Sequence, residues 1–243
     1  MDKYFYLNRK NQKKINRQFY KKVLICLCFV LLLGVTFIFG CSTVNLTDHS
    51  LTSISEYRKN LFVGKTGNVL ATYTTGQREQ DYIMDGKKTQ LTDFGVLTLY
   101  FSSPVEKAPE FKLTINDTSY ESVLELNPYD GTYVYDTLTQ IDDGSQIELY
   151  IKDYDQTIKL VCVSSSWGST YQDAISIFSQ KYQKELDSHS KNGVFNGEVY
   201  VKIVSSNKSL DNIYWYVLCV CESGDMYSAL IDPNTKVIVQ SWF

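Results

Sequence analysis

Hydrophobic positions along this chain fall into three regimes. Residues 23–40 (VLICLCFVLLLGVTFIFG) form an unbroken apolar run of eighteen residues without a charge. Wound as a helix, the run would rise roughly 27 Å, close to the hydrocarbon depth of a bilayer. A buried soluble helix would show one polar face, and this run has none. From about Leu61 to Ser166 the pattern changes to short stretches of apolar–polar alternation, the period of half-buried strands. Residues 69–75, 95–101, 111–115, 123–126, 132–135, 146–151 and 157–163 read this way, separated by Asp85-Gly86, Asn116-Asp117, Asp130-Gly131 and Asp143-Gly144. Such dipeptides tolerate the positive φ of tight hairpin turns. Seven short strands over some hundred residues predict an immunoglobulin-like β-sandwich across 57–166.

The third regime begins after the break Ser164-Ser-Ser-Trp-Gly-Ser169. Thr170 with Asp173 three residues on is a capping-box pattern. Tyr171, Ala174, Ile175, Phe178, Tyr182 and Leu186 then recur at three-to-four spacing, predicting a helix of about five turns with one apolar stripe and a stop at Asn192-Gly193. Four strands follow, at 198–204, 212–221, 226–231 and 237–242, turning at Ser223-Gly224-Asp225 and Pro233-Asn234-Thr235-Lys236. A helix packed on an antiparallel meander is an α+β unit, here across 167–243. The chain as a whole is therefore expected to be mainly β, with a small α+β portion.

Charge divides the same way. Residues 1–22 hold eight basic side chains against Asp2, whereas the remainder holds 16 basic and 26 acidic residues. A basic head before an apolar span stays cytoplasmic and sends the downstream chain across the membrane. A body this acidic repels a phosphate backbone, which argues against nucleic acid as a partner. Residues 41–56, small and polar, read as a tether between the membrane and the folded part.

Ile38, Gly40 and Cys41 resemble the lipobox of bacterial lipoprotein signal peptides, in which the cysteine becomes the lipidated first residue of the mature protein. That resemblance marks Cys41 for lipidation; the other reading is an uncleaved anchor with Cys41 at the interface. In both, the bilayer is a partner through residues 23–41 and the acidic body lies outside the cytoplasm. Cys26 and Cys28 act as small hydrophobes within the apolar run. Cys219 and Cys221 share one face of a strand, a spacing that seldom meets disulfide geometry, and with Cys162 are expected to be free thiols.

At the C-terminal end, Tyr216-Val-Leu-Cys-Val-Cys221, a Gly-Asp turn and Ala229-Leu-Ile-Asp-Pro-Asn-Thr-Lys-Val237 resemble PepSY-type domains, whose cystatin-like fold ends in an acid–x–x–Thr–Gly–Lys–Val hairpin. The glycine of that hairpin is missing here between Thr235 and Lys236. The resemblance implies an extracytoplasmic, non-catalytic accessory module with no catalytic residues to carry over. The arrangement of the whole chain also resembles lipoproteins of low-GC Gram-positive bacteria.

Residues that carry chemistry are sparse. The two histidines are His49, in the tether, and His189, which suits the negative end of the helix dipole. Ser164-Ser165-Ser166 lacks a nucleophile elbow, and no phosphate-cradling glycine motif occurs, so no cofactor is expected. Asp142-Asp143 and Asp153-x-Asp155 flank a hairpin but lack calcium-loop spacing. The strand 213–221 is apolar on both faces, which offers Tyr214 and Tyr216 as a partner-binding patch or as part of a covered central strand. A non-catalytic binding or accessory protein of the cell envelope, acting by protein or ligand contact and with an envelope protein or peptide as a candidate partner, is the leading expectation. An envelope hydrolase using a carboxylate pair is the alternative.

Overall fold

The computed structural model describes residues 53–80, 88–191, 194–206 and 209–243. The basic head, the apolar run 23–40, Cys41, His49 and nearly all of the tether lie outside the described residues, as do the Asp85-Gly86 and Asn192-Gly193 turns. Among the described residues no helix is long and apolar enough to cross a membrane.

The chain is mainly β, as the alternation implies. Nine strands form a nearly closed antiparallel, barrel-like sheet: β1 (Ile54–Thr66), β2 (Val69–Glu79), β3 (Leu91–Phe101), β4 (Glu110–Ile115), β5 (Thr118–Val123), β6 (Glu125–Leu126), β7 (Tyr133–Thr137), β8 (Ile147–Ile151) and β9 (Gln156–Cys162). The hydrogen-bonded order runs β6-β7-β3-β2-β1-β9-β8-β4-β5, so the two ends are consecutive in sequence and joined only through buried Leu124. Residues of period two point inward, including Val69, Ala71 and Tyr73, Leu97, Leu99 and Phe101, and Phe111, Leu113 and Ile115. Together they fill the interior.

Two helices, α1 (Tyr171–Lys181) and α2 (Gln183–Ser188), come next. A small hairpin follows, β10 (Ser190–Lys191) with β11 (Val194–Phe195). The four-strand extension is β12 (Gly197–Ser206), β13 (Ser209–Cys221), β14 (Met226–Ile231) and β15 (Ile238–Trp242). The helical stripe Ala174, Ile175, Phe178, Tyr182 and Leu186 is buried against Val199, Val201, Trp215, Val217 and Ala229, a second core. The single five-turn helix expected from the stripe is broken at Tyr182. Its hydroxyl lies 3.2 Å from the carbonyls of both Ser228 and Trp242, which pins the break to the sheet.

Strand β1 joins the two parts. It starts at Ile54, inside the stretch expected as tether, pairs with β2 along its length, and on its other edge pairs with two partners in turn. Residues 54–57 run parallel to β12; Phe62 and Val63 pair with β9. Leu61 and Phe62 point to opposite faces and are buried in different cores. The sheet is thus continuous from the barrel into the extension.

The expected capping box forms. Thr170 Oγ1 accepts the Asp173 N–H at 3.3 Å, and the Asp173 carboxylate accepts the Thr170 N–H at 2.8 Å. These bonds satisfy two amides that the helix leaves unpaired. Thr170→Ala is expected to lower stability by about 1 kcal/mol, read as a lower urea midpoint at unchanged slope. The Thr170 N–H holds the Asp173 carboxyl below the usual carboxylate range. That contribution is complete above the ordinary carboxylate pKa and is lost as pH falls through the lowered value of the folded state.

Candidate functional site

The passage of β1 from β12 to β9 leaves residues 58–61 with no strand registered on that edge, and a crevice opens there. Its cleft has a volume of about 540 Å³, within the roughly 300–1,000 Å³ of small-ligand sites. One wall is β1 itself, with Tyr57, Lys59 and Asn60; another is the segment before β8, with Gln140 and Asp143; the third is the Ser164–Ser166 turn and the start of α1.

Hydrogen bonds fix each wall. Asn60 Nδ2 donates to the Ile141 carbonyl at 2.8 Å, tying strand to loop. The Leu61 N–H donates to Ser164 Oγ at 3.0 Å, and the Val163 N–H donates to the Leu61 carbonyl at 2.9 Å. At the floor, buried Trp215 donates its indole N–H to Ser169 Oγ at 3.0 Å, and Ser169 donates to the Pro233 carbonyl at 2.6 Å. Three half-buried aromatic rings line the space. Tyr57 and Tyr171 stack at 4.3 Å and 16°, and Trp167 stands edge-on to Trp215 at 5.1 Å and 88°. Burial, reinforced by the neighbouring Tyr171, pushes the Tyr57 phenol up to about 12, so it remains a hydrogen-bond donor.

Charge in this cleft is sparse and balanced. Among the described residues its walls carry Lys59 and Asp143, of opposite sign, and Lys59 lies 3.4 Å from Asp142. The Gln140 side-chain oxygen is shielded from solvent and has no hydrogen-bond partner among the described residues. A buried acceptor in that state costs about 1–3 kcal/mol, which a ligand donor would recover.

The opposite face of the sheet carries the strand that the sequence singled out. β13 is central between β12 and β14, with Trp215, Val217, Cys219 and Cys221 buried on the helix side. Tyr214 and Tyr216 face the other way and are half-buried. Tyr216 registers opposite Lys202 on β12, and Lys202 lies 3.5 Å from Glu56, which also binds Arg58 at 3.0 Å. Arg78 stacks on the Phe94 ring at 4.8 Å and pairs with Asp136 at 2.7 Å. Among the described residues three carboxylates are buried: Glu56, Glu79, which accepts the Thr89 N–H, and Glu198, which accepts the Tyr200 hydroxyl at 2.8 Å.

Other sequence candidates are placed separately. Asp142-Asp143 precedes β8 and Asp153-x-Asp155 lies beyond it, at opposite ends of that strand. Asp153 pairs with Lys107 at 2.5 Å, and Asp155 accepts the Tyr150 hydroxyl at 2.9 Å. Among the described residues no group of three or more His, Cys, Asp or Glu is placed to hold a metal ion. His189 caps α2, 3.6 Å from Asp225. Cys162, Cys219 and Cys221 are free thiols. Burial pushes Cys221 up to about 11 and Cys219 well above the usual thiol range, which keeps both protonated and unreactive.

Within the sequence, Trp167 and Tyr171 belong to the break and the helix stripe; Tyr57, Asn60 and Gln140 carry no motif. Only the strand fork brings these residues together. No family model, curated protein or solved structure matches the chain.

Proposed function

We propose that the chain is a membrane-anchored, extracytoplasmic binding or accessory protein, acting by ligand or protein contact at the cell envelope without catalysis or cofactor. The cleft at the strand fork carries this reading. Its walls offer aromatic rings and amide or hydroxyl groups held in place by hydrogen bonds, the composition of a site that binds rather than reacts. The basic head and the apolar run 23–40 support a single anchor, lipidated at Cys41 or left uncleaved. The excess of acidic residues after that run argues against nucleic acid.

The finer fold reading is an immunoglobulin-like unit over 57–166, with a PepSY- or cystatin-like unit over 167–243. Packing of α1 on the β12–β15 meander supports the second. So does the last hairpin, a tight turn in which Asp232 accepts the N–H groups of Asn234 and Thr235 at 2.9 and 2.8 Å and Lys236 takes a left-handed φ of 61°. Tyr214 and Tyr216 supply a second contact surface for an envelope protein or peptide.

Expression of the full chain in a bacterium tests the reading. Protease added to intact cells is expected to digest the body, and fractionation to leave the anchor with the membrane. Palmitate labelling that disappears in Cys41→Ser selects the lipidated form. Titration of detergent-solubilised protein with solubilised envelope material is expected to shift the Trp167 indole resonance. Recovery of the intact chain in the cytosol overturns the anchored reading, and an unmoved Trp167 overturns the fork cleft as the contact surface. Loss of envelope binding in Tyr214→Ser/Tyr216→Ser with the fold intact moves the contact to that face.

A further inference from the structure

Resting on the reading of the fork cleft as a binding site, we infer that its ligand is an uncharged pyranose unit of a glycan. Four observations select this class. The charges on the walls are few and opposite, so an ionic ligand finds no net counter-charge, and desolvating it there is unfavourable. An apolar ligand is equally mismatched, because Asn60, Gln140, Gln172 and the serines of the 164–169 segment place polar groups around the space.

An extended peptide is the nearest competitor. It would dock by pairing its backbone with an open strand edge. At the fork, the Leu61 N–H is already given to Ser164 and the Leu61 carbonyl to Val163. The walls therefore present side chains more than a backbone ladder.

A sugar ring matches what remains. Its C–H face packs on the electron-rich face of an aromatic ring, here Trp167, Tyr57 or Tyr171. Its hydroxyls are both donors and acceptors, the capacity needed opposite a phenol that stays protonated and an amide oxygen without a partner. Gln140 is the residue at which binding and purely structural roles diverge most. As a purely structural residue, its solvent-shielded oxygen is a liability whose removal stabilises the fold; as a ligand group, it accepts a hydroxyl or acetamide proton.

The full chain labelled with ¹⁵N-tryptophan, in a sugar-free detergent, is titrated with maltotetraose, with the acetylated oligomer chitotetraose, and with a blocked, uncharged alanine tetrapeptide. A saturable shift of the Trp167 indole signal by either sugar, with Trp242 unmoved, is expected. A response to chitotetraose alone assigns the Gln140 partner to an acetamide N–H; a response to both sugars assigns it to a ring hydroxyl. Gln140→Leu is expected to weaken sugar binding about tenfold while its urea midpoint stays level or rises. Trp167→Phe, read on the Trp215 indole signal at the floor of the cleft, is expected to weaken binding less, since a ring face is retained. No shift with either sugar overturns the glycan assignment, as does binding indifferent to Gln140→Leu. A shift with the tetrapeptide alone overturns it too, but leaves the cleft standing as a binding site.

Discussion

Gly95→Ala is expected to cost about 3 kcal/mol, the sum of an overpacked core and a disturbed buried hydrogen bond. A Cβ at this position would lie 2.0 Å from the Tyr73 hydroxyl oxygen, 2.5 Å from its ring carbon and 2.7 Å from Thr137 Oγ1. None of these atoms has room to retreat. Tyr73 is fully buried in the barrel, its hydroxyl 2.7 Å from that of Thr137. Thr137 in turn donates to the Gly95 carbonyl at 3.3 Å. Burial pushes the Tyr73 phenol up to about 12, which marks how strongly the interior disfavours its charged form. Urea unfolding measures the loss, and the double variant Gly95→Ala/Tyr73→Phe separates its parts. Removing the hydroxyl relieves the closest approach but not the ring contact, so it recovers part of the deficit. An unchanged midpoint in Gly95→Ala would show that β3 and β7 shift freely, contrary to the packing described.

Removal of the Glu56 carboxylate is expected to cost as much or more. Glu56 is 3% exposed, with Arg58 and Lys202 at 3.0 and 3.5 Å. Deleting one member of a buried charge pair destabilises by about 3–5 kcal/mol, because the opposite charge keeps its desolvation cost and loses its attraction. Glu56→Gln preserves shape and tests charge alone. Burial holds the Lys202 ammonium below its ordinary range, and Glu56 is the first of the groups that oppose this. A base whose folded pKa is lowered weighs against folding while it is charged, and that burden lifts as pH rises from the folded value toward the unfolded one. Without the carboxylate the burden grows, so the deficit of Glu56→Gln relative to the parent is largest near neutrality. It is expected to shrink as pH rises toward the ordinary lysine pKa. A deficit that stays constant over that rise would assign the effect to the Arg58 pair, whose guanidinium stays charged throughout.

The barrel strands that are legible in the sequence are those with one buried face. Residues 69–75, 95–101 and 111–115 alternate cleanly, and the structure places strands over all three. The first strand is not legible for the converse reason. Asn60, Leu61 and Phe62 are buried in succession, since both faces of β1 are covered, and the period-two signal disappears. Its upstream residues Ser53 and Ser55 are buried and polar, which in sequence resembles a tether. The cleft is invisible for a further reason. Its walls come from positions near 57, 140 and 170, and no local pattern records that a strand will change neighbours between them. By contrast, the apolar character of both faces of β13 is plain, and it is the central strand of the extension.

The parallel pairing of β1 with β12 also bears on how the chain is made. Tyr57 meets Val201, a partner roughly 145 residues later. During synthesis, the leading strand leaves the ribosome long before the segment that completes its edge. Until then its unsatisfied backbone is open to wrong pairings, and a contact of such long sequence separation is slow to close. Maturation of this protein is therefore governed by its last quarter, and a nascent chain halted before Gly197 retains an adhesive border.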